Sequence, residues 1–339
     1  MANFQDYLKP DHHGMAENHT RFRRAFAEQR ENIARVAAAL HPSTVVCFGA
    51  GMLNDIPLEA FLRWGAEVHL VDWMEGVLEF GLAAAIVTKT RTGPDCVFCT
   101  LDEAQASAYC GSFSEKQPGA GVCTAYDPTR NTTPGCDSYE RGSQPHLHTQ
   151  DVTGGFARAF GDGAQGILAG VDSWRQAFRR GQALSRKAKE SVEPLDLADG
   201  SIDFITASML ISQFEAEPYR YFSKLAVDTL GTPSAADEKR LKGAMEALRS
   251  DLLTTQIDRL GREIKRLLAP DGRCYLSFEM FHKDGGDWYF VQPMAAALQQ
   301  LAKRFRFDFQ TTPESAVVSR YQGVEGESVI HQYLLRHAS

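Results

Sequence analysis

The sequence predicts an α/β protein, a mostly parallel sheet with helices on both faces and a late antiparallel strand. Three observations carry this. The apolar run Val45-Val46-Cys47-Phe48 ends in Gly49-Ala50-Gly51, and a second apolar run, Val68-His69-Leu70-Val71, ends in Asp72. Strand and helix patterns then alternate along most of the chain. The last two strands, near 305–309 and 328–335, have only loop between them, so they pair antiparallel at one end of the sheet.

The elements follow in order. Over 16–40, Phe22, Phe26, Ile33, Val36 and Leu40 recur at helical steps, and His41-Pro42 stops that helix. A buried strand spans 44–49. Pro57 to Trp64 is a short helix with Leu58, Phe61 and Leu62 on one face. A second strand spans 67–72, and an apolar helix spans 74–88. From 90 to 147 Gly, Pro, Ser, Thr, Asn and Cys dominate, which reads as an insertion with its own local order. His148 to Asp151 is a third strand, and 172–189 is a basic helix. Ser201 to Ile211 holds a strand centred on Asp203-Phe204-Ile205-Thr206-Ala207. Ser234 with Asp237 three residues on resembles a capping box for the longest helix, 234–268. Pro270-Asp271-Gly272 is a turn before the strand Arg273 to Phe278, and a helix spans 291–303. The expected domain plan is an N-terminal helical lid, 1–40, and one sheet domain, 41–339, interrupted by the insertion 90–147.

The totals narrow the functions. The chain has 339 residues, 43% hydrophobic and 23% charged, with a formal charge of −7. An acidic balance argues against wholesale binding of phosphate backbones. No apolar stretch reaches transmembrane length, and Met1-Ala2-Asn3-Phe4-Gln5-Asp6 lacks the regions of a secretory signal. A cytoplasmic, reducing setting is expected, in which the seven cysteines are thiols or metal ligands.

A dinucleotide site wants a third glycine, for close helix packing around a pyrophosphate. Here the pattern is Gly49, Gly51, Asn54, followed by Asp55, an acid that would repel a pyrophosphate and suit a cationic ligand. At this point the chain resembles the class I, Rossmann-like S-adenosylmethionine-dependent methyltransferases. Their motifs are matched in order by Gly49-Ala50-Gly51, by Asp72, by Asp151, by the strand Asp203 to Ala207, and by Leu267-Leu268-Ala269-Pro270-Asp271-Gly272. The resemblance covers about 40–90 and 148–335. It implies a seven-stranded Rossmann-like sheet with an antiparallel last strand.

The resemblance also implies residue roles. Gly49, Ala50 and Gly51 would line the methionine portion, and Asp55 would bind its amino group. Asp72 would hold the ribose, and Trp73 would cover the adenine unless it serves the core. Asp151 with Val152 would meet the adenine amino group. Ser208 and Gln213 follow the fourth strand, where this family closes on cofactor and substrate. Base candidates are Tyr219, Glu279 and His282, with His12, His13 and His19 before the first helix. The expected activity is methyl transfer to a small-molecule acceptor. The alternatives are a non-catalytic adenosylmethionine- or metal-binding sensor, and a nicotinamide-dependent oxidoreductase, which the missing glycine disfavours.

Cys96, Cys99, Cys110, Cys123 and Cys136 crowd the insertion, and Cys96-Val97-Phe98-Cys99 is a close pair of the kind zinc takes. A loop this poor in apolar residues gains folding free energy from a metal. Zinc on these cysteines is expected, with His146 and His148 competing as ligands; a redox pair, an iron–sulfur cluster and a disulfide are the alternatives. Cys47 and Cys274 lie inside strands and read as core. Arg175, Arg179, Arg180, Arg186, Lys187 and Lys189 crowd one helix, read as a solvated face, so a nucleic-acid partner is not expected. The 234–268 helix has apolar surface enough to pack on the sheet or to pair with a second copy in a homo-oligomer. No membrane partner is expected.

Overall fold

Helix α1 (Ala27–Leu40) ends where its sequence says it must: His41 turns left-handed at φ 49° and donates its N–H to Ala37 O, and Pro42 disfavours helical backbone at the residue before it. In the computed structural model the described residues are 4, 25–74, 76–85, 89–90, 93–94, 113–117, 120–123, 145–214, 216–284, 287–290, 293–310, 317–320 and 326–338. The elements that follow are β1 (Thr44–Phe48), α2 (Leu58–Arg63), β2 (Glu67–Asp72) and α3 (Val77–Ala85). Two hairpins come next, β3 (Lys89–Thr90) with β4 (Gly93–Pro94) and β5 (Phe113–Gln117) with β6 (Ala120–Cys123). Among the described residues each hairpin is a separate two-stranded sheet outside the main sheet.

The chain re-enters the sheet at β7 (His146–Thr149), then forms α4 (Phe156–Leu168), α5 (Trp174–Ala188), β8 (Ile202–Ser208), α6 (Ile211–Phe214) and α7 (Ala216–Leu230). The longest helix, α8 (Ala235–Leu267), leads into β9 (Leu268–Asp284) and β10 (Asp287–Phe290). Helix α9 (Pro293–Ala302) and strands β11 (Phe305–Gln310), β12 (Val317–Arg320) and β13 (Gly326–His337) follow.

The strand order is β11-β13-β9-β8-β1-β2-β7, with β10 added to β9 and β12 to β13. The pairs β1–β2, β1–β8, β2–β7 and β8–β9 are parallel, and β13 runs antiparallel to both neighbours. The order reverses at β1, whose neighbours are β2 and β8. Open α/β sheets bind ligands outside the carboxyl ends of the strands at such a switch point.

Each sheet face has its own core. Ile33 and Ala37 of α1 pack with Val45, Cys47, Phe61 and Phe204 on one side. Leu253, Ile257, Leu260 and Ile264 of α8 pack with Val46, Phe48, Ile205 and Leu276 on the other. The free cysteines Cys47 and Cys274 are both fully buried strand residues. Ser234 caps α8 as its spacing predicts: its hydroxyl accepts from the Asp237 N–H at 3.2 Å and donates to the Asp237 carboxylate at 2.6 Å.

Three features depart from the sequence expectation. Helix α4 was hidden by the glycines at 154, 155, 161, 163 and 166, which lower helix propensity, although Phe156, Phe160, Ala164 and Leu168 form a regular buried stripe. Helix α7 is a second unanticipated helix, packed on α4 through Phe222 against Phe160 at 6.1 Å. Strand β9 is longer than 273–278 at both ends. Ile202 pairs with Leu268 and Phe204 with Arg273, so Pro270-Asp271-Gly272, expected as a turn before the strand, loops out as a bulge within it. Gly272 is required there, because a Cβ would lie 2.8 Å from Ile202 O. At its far end β9 finds partners in β10 and β13 and continues to Asp284.

Candidate active site

The carboxyl ends of β1, β2 and β8 converge around one loop. Gly49 and Gly51 both have positive φ, 62° and 48°. A Cβ on Gly49 would meet Leu210 Cδ1 at 2.6 Å. The Ala50 N–H donates to Val71 O at 3.1 Å, tying the loop to β2. Leu53 and Met209 are also left-handed, at 58° and 53°. Bulky residues rarely adopt that conformation, and these two sit in the loops after β1 and β8.

Two buried acids face this loop. The Asp72 carboxylate accepts from the Gly51 N–H through Oδ2 and from the Met74 N–H through Oδ1, each at 3.0 Å. Burial raises its pKa from 3.8 to about 6, against the pull of the Met74, Gly51 and Trp73 N–H groups. Asp55 is buried, and its Oδ2 has no hydrogen-bond partner among the described residues. Burial raises its pKa too, to about 6, while the Ser208 hydroxyl and the Arg30 charge oppose the rise. A buried carboxylate oxygen without a donor costs free energy until a ligand or water supplies one.

Helix α3 approaches the loop so closely that a Cβ on Gly81 would lie 2.7 Å from Met52 C and 2.8 Å from Gly51 O. Gln29 of α1 is fully buried, beside the last residue of β8 and mid-strand residues of β9 and β13. Its amide nitrogen donates to the Ser277 hydroxyl and, at 3.3 Å, to Ser208. Ser208 and Ser277 lie 3.0 Å apart, and Gln332 donates to Gln29 Oε1 at 3.2 Å. Gln29, Ser277, Gln332 and Gly81 escaped the sequence reading. A signal for Gln29 existed, since it lies on the apolar stripe between Phe26 and Ile33.

The other expected site residues fall as follows. Asp151 sits after β7, and its carboxylate accepts from the Thr153 N–H (2.8 Å), the Thr153 hydroxyl and the Arg158 N–H (3.2 Å), organising the start of α4. Burial holds its pKa above the usual value. Val152 is a core residue. Trp73 is half-buried against the α4–α5–α7 helices. Gln213 lies in α6, and its side chain is outside the described residues. Tyr219 lies in α7 with the Arg249 guanidinium 5.3 Å over its ring. Glu279 and His282, expected in a loop after their strand, are ladder residues of β9 opposite Ile330 and Ser328 of β13. His12, His13, His19 and Cys96, Cys99, Cys110 and Cys136 lie outside the described residues, and of Cys123 only the β6 backbone is described.

His146 and His148 join a hydrogen-bonded group on β2 and β7. His69 Nδ1 and His148 Nε2 are 3.0 Å apart, and Glu67 Oε1 is 3.4 Å from both His69 Nε2 and His146 Nε2. Among the described residues no group of three or more His, Cys, Asp or Glu side chains is arranged to hold a metal ion. Among them no helix is long and apolar enough to cross a membrane. A cavity of about 460 Å³ opens away from the two acids, beside α8, lined by Gly154, Lys189, Arg259 and Arg262 among others. Its cations are engaged: Lys189 pairs with Asp251, Arg262 with Asp258, and Arg259 donates to three backbone carbonyls.

A central β1 flanked by β2 and β8, with β13 antiparallel between β9 and β11, decides the architecture. The fold is a Rossmann-like, mostly parallel sheet with an antiparallel last strand. No family model matches the chain, and no curated protein matches it. Solved structures of the methyltransferase fold do align along most of its length. A magnesium protoporphyrin IX methyltransferase from Synechocystis, solved with S-adenosylmethionine, is 11% identical over 99% of this chain and 98% of its own, with a TM-score of 0.42. An S-adenosylmethionine-dependent methyltransferase from Clostridium acetobutylicum is 8% identical over 93% and 92%, with a TM-score of 0.38. A 1,6-didemethyltoxoflavin-N1-methyltransferase from Burkholderia thailandensis, with its substrate and S-adenosylhomocysteine bound, is 14% identical over 98% and 92%, with a TM-score of 0.33.

Proposed function

We propose that this chain binds S-adenosylmethionine at the carboxyl edge of β1 and β2 and transfers its methyl group to a small-molecule acceptor. The observation that carries the reading is the pair of buried carboxylates across the glycine loop, one tied by backbone N–H groups and the other with an unpartnered oxygen. Asp72 is oriented by Gly51 and Met74, and its remaining lone pairs suit two vicinal ribose hydroxyls. Asp55 Oδ2 lacks a donor among the described residues, and an ammonium group supplies both hydrogen bond and charge. Gly49 and Gly51 leave backbone open to the ligand where a Cβ would strain the loop.

The sulfonium of the bound cofactor supplies an activated methyl group and leaves as a neutral thioether. The protein's task is alignment and exclusion of water. The Gln29–Ser208–Ser277 hydrogen bonds fix the end of β8 beside the left-handed turn at Met209, near which acceptor and cofactor would meet. An acceptor carrying a proton surrenders it to a base or to solvent as the new bond forms. Tyr219, Glu279 and His282 remain the proposed bases.

Calorimetry with adenosylmethionine and adenosylhomocysteine tests the reading. Micromolar binding to the wild-type chain that is lost in Asp55→Ala and Asp72→Ala supports it. Equal affinity in all three chains overturns the site.

A further inference from the structure

The aromatic ring of Phe4 is fully buried. It lies edge-on to Trp73, with ring centres 5.5 Å apart at 72°, and beside Tyr221 of α7 at 4.9 Å. Its seat is built for it. A Cβ on Gly161 of α4 would fall 1.9 Å from Phe4 Cδ1 and 2.2 Å from Cγ, so only glycine at 161 admits the ring in this position. Phe156, Phe160, Phe178 and Phe222 complete the surrounding helical core. Trp73 in turn follows Asp72, and its backbone N–H helps hold the Asp72 carboxylate.

We propose that Phe4 is a positioning residue for the nucleotide side of the site, holding the Trp73 indole beside Asp72 so that its face is set for an adenine. The proposal rests on the cofactor reading above. Edge-to-face aromatic pairs fix ring orientation as well as adding contact energy. Trp73 is only half-buried, with α4, α5 and α7 on one side, and Phe4 is the ring that fixes its edge. Removing Phe4 takes away the ring that holds the indole edge against the helical core, so the indole swings out toward solvent and loses the orientation set for an adenine. Gly161 is a specificity element of the same device, since it alone gives Phe4 its seat.

Two readouts test this on the full-length chain. The first is the Trp73 fluorescence component, taken as the difference between spectra recorded with and without Trp73→Phe. In Phe4→Ala this component shifts to the red and becomes more open to acrylamide quenching. The second is the Kd for adenosylhomocysteine, which rises about 3- to 10-fold in Phe4→Ala, the range of a lost aromatic pair. Gly161→Ala displaces the ring without altering Phe4 and moves both readouts the same way. In a Trp73→Ala chain, Phe4→Ala adds no further loss. Thermal melts confirm that each variant is folded at the assay temperature. If Asp72→Ala weakens binding while Phe4→Ala leaves Kd unchanged, the proposal falls alone. An equal Phe4→Ala loss with and without Trp73 also overturns it. If Asp72→Ala leaves Kd unchanged, the cofactor reading falls and takes the proposal with it.

Discussion

Asp72 Oδ2 accepts the Gly51 N–H at 3.0 Å, joining the last residue of β2 to the second glycine after β1. The contact makes the glycine loop and the acid one unit. Substitution of Asp72 therefore has two consequences, loss of a ligand group and release of the loop. Asp72→Asn keeps one acceptor oxygen and turns an NH2 group toward either the Gly51 or the Met74 N–H, leaving one backbone donor without its acceptor, so its melting temperature should fall below the wild type's. Adenosylmethionine affinity should fall at least tenfold, about 1.4 kcal/mol, because an amide offers one acceptor where two hydroxyls require two. Calorimetry alongside a thermal melt separates the two effects.

Ligand binding should depend on pH through Asp55. Its pKa is raised from 3.8 to about 6 in the folded, ligand-free chain. A raised carboxylate pKa means the native state binds more protons than the unfolded chain between about 4 and 6. The associated stability is fully present below 4 and is lost as pH rises through 6. A cationic ligand reverses the preference by favouring the ionised acid. Affinity for adenosylmethionine should therefore rise with pH from 5 to 7 and level off above, with proton release on binding near pH 6. Asp55→Asn should be weak throughout, with a smaller rise across that range. Asp72, also raised to about 6, leaves a shallower dependence in that variant.

Gly81→Ala offers a test of the loop's fit. The added methyl would meet backbone atoms, Met52 C at 2.7 Å and Gly51 O at 2.8 Å, and backbone cannot rotate away. Alanine otherwise favours a helix by about 1 kcal/mol over glycine, so a surface glycine in α3 would gain from the change. Here the clash outweighs that gain, and a net loss of about 1–3 kcal/mol is expected from overpacking. Denaturant unfolding measures it, and the adenosylhomocysteine Kd should rise as Gly51 is displaced. A stabilised Gly81→Ala chain with unchanged Kd would show that α3 can stand off the loop.

The parallel sheet was legible because its strands are continuous apolar runs, and the loop because two glycines interrupt one. Cap signals read correctly at His41 and Ser234, since capping is a local interaction. Helix α4 was obscured where composition and pattern conflict: five nearby glycines argue for a turn, while Phe156, Phe160, Ala164 and Leu168 argue for a helix. Burial of that stripe decided the outcome. The site was legible only as far as residues that follow strands in sequence. Gln29, Ser277 and Gln332 meet across |i−j| of 248 and 303, and no local pattern encodes such a meeting. Glu279 and His282 were misplaced because strand length depends on partners, and β13 and β10 extend β9 past its own apolar run.

The histidine group on β2 and β7 should make the fold acid-sensitive. Glu67 can only accept, so His69 Nε2 carries a proton toward it and Nδ1 accepts from His148 Nε2–H at 3.0 Å. Burial, then the neighbouring His146 and His148, lowers the His69 pKa from 6.5 to about 4, against the opposing charge of Glu67. His148 is lowered as well, by burial and His146, with Asp196 opposing. A depressed histidine pKa means the unfolded chain binds more protons between 6.5 and 4. The stability these groups provide is present above 6.5 and is lost as pH falls through 4. This slope opposes that of Asp55 and Asp72 over the same window, so the wild-type profile is the sum of two contrary trends. His69→Val removes one of them, suits a β-strand, and leaves His148 facing a methyl group. Its unfolding free energy should fall less than the wild type's between pH 6.5 and 4.5. Equal slopes in the two chains would mean that His69 titrates alike when folded and unfolded.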